Sequence, residues 1–168
     1  MERDPIPQAV VAAAAQDVRA YLRGGASEPD GLVERMAASA LLLFEAFSGR
    51  VLIARQFRET VASEVRWQRV EATPVRSIDL VEGLPAEGSA FAMPVGSYAI
   101  DIDASGDGWV RVSVAGIAGR VRVALSAGDC AGWDEVPGPV AQGIVLLAAH
   151  MIEGRHAEDA PPAASQTF

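Results

Sequence analysis

Asp101, Asp103 and Ser105 stand at alternate positions in the run Asp101-Ile102-Asp103-Ala104-Ser105-Gly106-Asp107-Gly108. That is the oxygen spacing with which a calcium loop begins. Such a loop closes on a bidentate Glu at its twelfth position, and here that residue is Val112. The flanks read as strands, and Asp with Gly is what a tight hairpin turn requires. The run therefore predicts a hairpin and no metal site, with an adventitious cation contact as its most.

Cys130 is the one cysteine, which rules out an intramolecular disulfide and a multi-cysteine zinc site. A nucleophilic role would need His150 or His156 as base, and nothing in the spacing brings either to it. A small loop residue in Ala127-Gly128-Asp129-Cys130-Ala131-Gly132 is the expected role. Ser126 lacks the Gly-x-Ser-x-Gly elbow of a hydrolase. Glu82-Gly83-Leu84-Pro85-Ala86-Glu87-Gly88 has no Lys and no helix start, so it is no phosphate loop. Glu34, Glu45, Glu64, Glu71 and Glu135 are too dispersed to be fixed as an acid/base couple. Arg50, Arg55, Arg58, Arg66 and Arg69 are expected on a solvated face, against acidic neighbours, or at subunit boundaries. His150 lies beside an apolar helical stripe and is expected packed or interfacial. No catalytic constellation and no cofactor site emerge.

The elements that would carry these residues follow from periodicity. Val10, Val11, Ala14, Val18, Tyr21 and Leu22 share one face of a helix over residues 7–22, ended by Gly24-Gly25. A second helix, residues 31–48, has Asp30 as its N-cap and Leu32, Val33, Met36, Ala40, Leu43, Phe44 and Phe47 as its stripe. Gly49 closes it, and the two helices suggest an antiparallel pair.

Strands fall between residues 51 and 126. The expected segments are Val51–Ala54, Phe57–Val65, Trp67–Val70 and Val75–Val81, then a loop at Gly83, Pro85 and Gly88. Tyr98–Asp103, Trp109–Val114 and Arg120–Ser126 alternate and read as an antiparallel meander. A last helix, residues 138–153, follows Val136-Pro137, with Gly154 as its stop. Its stripe is Val140, Ile144, Leu147, Ala148 and Met151, widened by Val145 and Ile152. Residues 157–168 are rich in Ala and Pro and are expected to form a flexible arm. The fold class is α+β, with helices beside an antiparallel sheet. Residues 1–156 are expected to form a single domain.

Half the residues are apolar, enough for a real core. A net charge of -8 argues against a grip on nucleic acid, which needs clustered Lys and Arg. It would suit a wall past which DNA slides. The charged start Met1-Glu2-Arg3-Asp4 has no apolar run like that of a signal peptide. The longest apolar stretches, Ala37–Phe47 and Val140–Ile152, are short for a bilayer. Folding in the cytoplasm, away from membranes, is the expectation.

Four places carry a resemblance. The first is Val18-Arg19-Ala20-Tyr21-Leu22, then Asp30-Gly31-Leu32-Val33, then a helix ending Phe47-Ser48-Gly49-Arg50. The second is Gly49-Arg50-Val51-Leu52 leading into Gln56-Phe57-Arg58-Glu59-Thr60. The third is Thr73-Pro74-Val75-Arg76-Ser77-Ile78-Asp79-Leu80-Val81. The fourth is Val121-Arg122-Val123-Ala124-Leu125-Ser126-Ala127-Gly128, then Val136-Pro137, then Ala149-His150-Met151-Ile152-Glu153-Gly154-Arg155. In this order they resemble the head–tail connector (adaptor) family of long-tailed phages, prophages and gene transfer agents, over roughly residues 8–156. Ile152 stands where that family usually has an aromatic, and Leu125 where Tyr or Phe is common.

The resemblance implies a structural subunit without catalysis or cofactor. About a dozen copies would close into a ring on the portal protein, with stopper or tail proteins below. DNA would pass through the lumen without specific binding. The C-terminal arm, with Arg155, His156 and Phe168, would dock on the portal. The subunit would be assembled in the host cytoplasm and reside in the particle neck. Competing expectations are another neck protein (a stopper or tail-completion protein), a small cytoplasmic ligand-binding module, or a hydrolase whose site is assembled from distant residues.

Overall fold

Val121, Val123 and Leu125 alternate with Arg120, Arg122 and Ala124, and the structure buries the first set completely. They lie on the central strand of a five-stranded sheet. This computed structural model describes residues 1–22 and 29–158. Its elements are β1 (Glu2–Arg3), α1 (Gln8–Tyr21), α2 (Asp30–Ser48), β2 (Arg55–Ala62), β3 (Gln68–Arg69), β4 (Val75–Pro85), β5 (Phe91–Ala92), β6 (Tyr98–Ile102), β7 (Gly108–Val112), β8 (Ala118–Ala127) and α3 (Gly138–Glu158). The chain is α+β, with all strand pairs antiparallel.

Two compact units are formed. One comprises Met1–Pro7 and Glu45–Glu135; the other comprises Gln8–Phe44 and the chain from Val136. The first holds a five-stranded sheet, order β1-β2-β8-β4-β5, and a three-stranded sheet, order β3-β7-β6. One core serves both sheets. Phe57, Val81, Val121, Val123 and Leu125 come from the larger sheet, and Val70, Val110 and Val112 from β7 and the segment after β3. Each such burial stabilises by about 1.5–3 kcal/mol.

The expected meander is corrected. β6 and β7 form its hairpin, but β8 lies between β2 and β4 in the other sheet. Register gives the reason. Leu125 sits opposite Phe57 and Ile78, Val121 opposite Val61, and Val123 opposite Val81. The apolar row of β8 thus finds Phe57 and Val61 on one side and Ile78 and Val81 on the other, with Glu59 of β2 opposite Val123.

The expected loop at Gly83 is also corrected, because β4 continues through Gly83 to Pro85. A Cβ at Gly83 would come 2.5 Å from Cζ of Phe91, its ladder partner on β5. The glycine makes room for the ring rather than for a turn. Val51–Ala54 is not a strand of either sheet. It joins the Cys130 segment by one parallel bridge, with Cys130 N–H donating to the Leu52 carbonyl at 2.8 Å.

In the second unit α1 packs closely against α3. Ala14 and Ala15 on α1, and Ala148 and Ala149 on α3, are buried, and small side chains let helix axes approach. Gln8 Nε2 on α1 donates to Glu34 Oε2 on α2 at 3.0 Å. α2 starts at Asp30 itself, and the Pro29 carbonyl accepts the Leu32 N–H at 2.9 Å. Gly49 ends α2 as expected, at φ 68, with its N–H bonded to the Glu45 carbonyl at 2.9 Å. α3 runs past Gly154 to Glu158. A glycine costs a helix about 1 kcal/mol, which the helix-forming residues around it outweigh.

Two stripes turn relative to expectation. On α2 the buried positions are Leu32, Val33, Ala37, Ala40 and Leu41, while Leu43 and Phe47 face outward. On α1, Tyr21 is exposed.

Candidate functional site

The Asp103–Trp109 segment folds as a hairpin turn. Both carboxylate oxygens of Asp103 are occupied by donors of its own turn. Oδ1 accepts the N–H of Ser105 at 2.8 Å and of Asp107 at 3.1 Å, and Oδ2 accepts Trp109 Nε1–H at 2.9 Å. The indole and these backbone donors hold the Asp103 carboxyl below the usual carboxylate range. Asp107 looks the other way. Its Oδ1 accepts from Arg69 Nη2 at 2.8 Å and from the Thr73 hydroxyl at 2.9 Å. The Arg69 guanidinium, with Thr73, depresses its carboxyl too. Arg69 is in turn pushed up by the Asp107 hydrogen bond. Among the described residues no His, Cys, Asp and Glu group is arranged to hold a metal ion.

β2 puts two charged side chains on the buried face that carries Phe57. Arg55 is bound to Glu45 at the end of α2, Nη1 to Oε1 at 2.9 Å and Nη2 to Oε2 at 2.6 Å. Its guanidinium lies 5.1 Å from the Phe57 ring centroid. Glu59 accepts the N–H of Glu71 at 2.7 Å and of Ala72 at 2.8 Å. Alternation with Phe57 was the signal for this face. Neither residue is expected inside from its type, because charge normally argues for solvent.

Four further arginines meet acidic partners, one of the roles expected for Arg50, Arg58 and Arg66, while Arg76 donates to the Gly128 and Asp129 carbonyls and Arg111 lies over the Trp67 ring. Arg50 pairs with Asp129, Arg58 with Asp4 and Arg66 with Glu64. Arg122 pairs across the ladder with Glu82, its register partner, at 2.9 Å. Their positive charge is locally neutralised rather than clustered for phosphate.

Cys130 is a buried loop residue. Its Sγ lies 3.5 Å from the Glu135 carbonyl oxygen, so the thiol is directed at backbone rather than at a base. Burial pushes the thiol up, helped by the negative charges of Asp129 and Glu135. Ser126 is a ladder residue of β8, opposite Gln56 and Ser77. His150 is exposed on α3 rather than packed against its own chain, because the buried line of that helix runs through Ile144, Val145, Ala148, Ala149 and Ile152. Arg155 and His156 fall within α3, and Phe168 lies outside the described residues.

The first unit also carries exposed apolar surface. A groove of about 320 Å³ is lined by Phe91, Met93, Pro94, Val114 and Ile117, with no charged residue in its wall. Val114 and Ile117 on its rim are 63% and 75% exposed. Phe47 is 95% exposed. Helical spacing predicts Phe47 in the core stripe and assigns the groove residues no role. The run Leu41-Leu42-Leu43-Phe44 was an available signal, since consecutive residues at 100° per step cannot all face one core. Among the described residues no helix is long and apolar enough to cross a membrane.

Over the described residues, fold and surface define an α+β protein with two antiparallel sheets and three α-helices. Buried Arg55 and Glu45 are paired with each other, Glu59 is held by backbone amides, and apolar sites are left open. Neither a protein family nor a curated protein matches the sequence. Solved structures share its fold over nearly the whole chain. A chain in the neck of an empty gene transfer agent (GTA) particle computed with C6 symmetry superposes with a TM-score of 0.71 at 23% identity, covering 99% of this chain and 90% of that one. A chain in the neck of the native particle computed with C12 symmetry gives 0.69 at 24% identity, covering 99% and 89%. A chain of the native virion gives 0.68 at 23%, covering 98% and 90%.

Proposed function

We propose that this protein is a non-enzymatic structural subunit of the neck of a gene transfer agent or phage particle, where a ring of copies joins the portal protein to the tail. The carrying observation is the end-to-end likeness to neck chains, 99% of this chain against 90% of the neck chain at a TM-score of 0.71. The symmetry of those necks supports the ring, since C6 and C12 averaging implies copies around one axis. The net charge of -8 supports a channel that passes DNA without holding it. In this reading the arm from Arg155 through His156 to Phe168 docks on the portal, with stopper or tail proteins on the opposite face.

The test is mass spectrometry of purified particles from producing cells, with copy number measured against the portal subunit. A ratio near one to one is expected. Absence of the protein from intact particles would overturn the proposal. For the arm, a chain ending at Gly154 should keep its fold and fail to bind purified portal. Undiminished binding would remove the arm from the reading.

A further inference from the structure

We infer that Phe47 of one copy inserts into the groove lined by Phe91, Met93, Pro94, Val114 and Ile117 of the next copy. The inference rests on the ring reading above and adds the contact that closes the ring.

Phe47 is not an ordinary scattered surface apolar residue. At 95% exposure its ring touches almost nothing of its own chain. It is nonetheless held on a fixed support. Two positions earlier Glu45 is clamped by Arg55, and two positions later Gly49 ends the helix at φ 68. A side chain presented this way loses little freedom on binding. Ala46 and Ser48 flank it, Glu45 is buried, and the exposed Arg50 three residues on is paired with Asp129.

The groove is the matching half. Its wall holds no charge, and its rim leaves Val114 and Ile117 open. The chain carries a net charge of -8, so an apolar projection and an uncharged recess are surfaces on which like-charged copies can meet without repulsion. Both belong to the unit comprising Met1–Pro7 and Glu45–Glu135. Each copy therefore offers one projection and one recess on the same body. Copies joined projection to recess make a heterologous contact, the kind that generates rings. An aromatic anchor in an apolar pocket is also the kind of contact that dominates interface energetics.

The experiment is disulfide trapping in particles. Phe47→Cys and Ile117→Cys are combined in one chain, particles are purified and oxidised, and the chain is followed on a non-reducing gel. Cys130 is buried and stays silent. A ladder from dimer upward is expected from the double variant and none from either single variant. Co-production of the two single variants should give dimers alone. A double variant present at the wild-type copy number without a ladder would overturn the contact and leave the ring reading standing. So would a crosslink to a different protein, which would be the groove's true occupant. Absence of the wild-type chain from particles would sink the ring reading and this inference with it. A second pair guards against a variant that fails to assemble. Phe47→Leu should retain the wild-type copy number and Phe47→Asp should lower it at least ten-fold, both with the wild-type melting temperature. Equal incorporation of the two would overturn the inference.

Discussion

Arg55 and Glu45 face each other as a two-pronged buried ion pair, with side chains 3% and 6% exposed. Glu45 Oε1 also accepts the Leu52 N–H at 2.9 Å, and Arg55 Nη1 also donates to the Ile53 carbonyl at 2.9 Å. The pair thus organises the irregular segment between α2 and β2. Burying two charges is costly, so its net worth depends on both partners being present.

Removing one partner should be severe. Glu45→Ala strands a buried guanidinium and should cost about 3–5 kcal/mol. Urea denaturation checks it, through a lower midpoint at unchanged slope. Arg66→Ala is the contrast. Its pair with Glu64 is 84% exposed on the Arg side, and its loss should stay within about 0.5 kcal/mol. Similar losses in the two variants would refute the organising role of Glu45.

Gly128 should tolerate no side chain. Its φ is 140, and a Cβ there would run into the backbone of Ala54 and Ile53. Gly128→Ala should destabilise by about 2 kcal/mol or more, since strain and overpacking add. Gly138→Ala meets nothing and should change stability by less than about 0.5 kcal/mol. Thermal melts of the two variants, side by side, decide it.

Asp103 and Asp107 should make the hairpin acid-sensitive. Both carboxyls are depressed in the folded state, Asp103 first by the Trp109 indole and Asp107 first by Arg69. A depressed carboxyl contributes stability above its unfolded value, about 3.9, and that contribution is lost as pH falls through the lower folded value. The Trp109 indole N–H resonance should therefore shift with a midpoint below about 3.9. A midpoint at or above that value would show that the indole bond does not favour the charged carboxylate. In Asp103→Asn the shift should disappear.

Cys130 should be a slow thiol. Burial first, then Asp129 and Glu135, raise it, so little thiolate forms near neutral pH. Alkylation by iodoacetamide at pH 8 should proceed at least ten-fold slower than for an exposed cysteine, and at the exposed rate once the chain is unfolded. Fast labelling of the folded protein would contradict the buried placement.

What the sequence determined by itself was local. Helical periodicity located α1, α2 and α3 to within a residue or two at their starts, and alternation located β6, β7 and β8. The Asp103–Gly106 turn chemistry identified the hairpin, and Val112 at the twelfth position argued against a calcium loop. These signals work because each residue's preference depends on neighbours a few positions away. Tertiary structure decided the rest. Which sheet β8 joins depends on Phe57 and Val81, far along the chain. Whether Gly83 bends the chain or pairs in a ladder depends on the Phe91 ring. Arg55 and Glu59 could be placed inside only once Glu45 and the amides of Glu71 and Ala72 were there to receive them. Phe47 shares the helical spacing of core residues, and its exposure follows from where the neighbouring chain runs. Long-range partners set burial, and no local pattern encodes them.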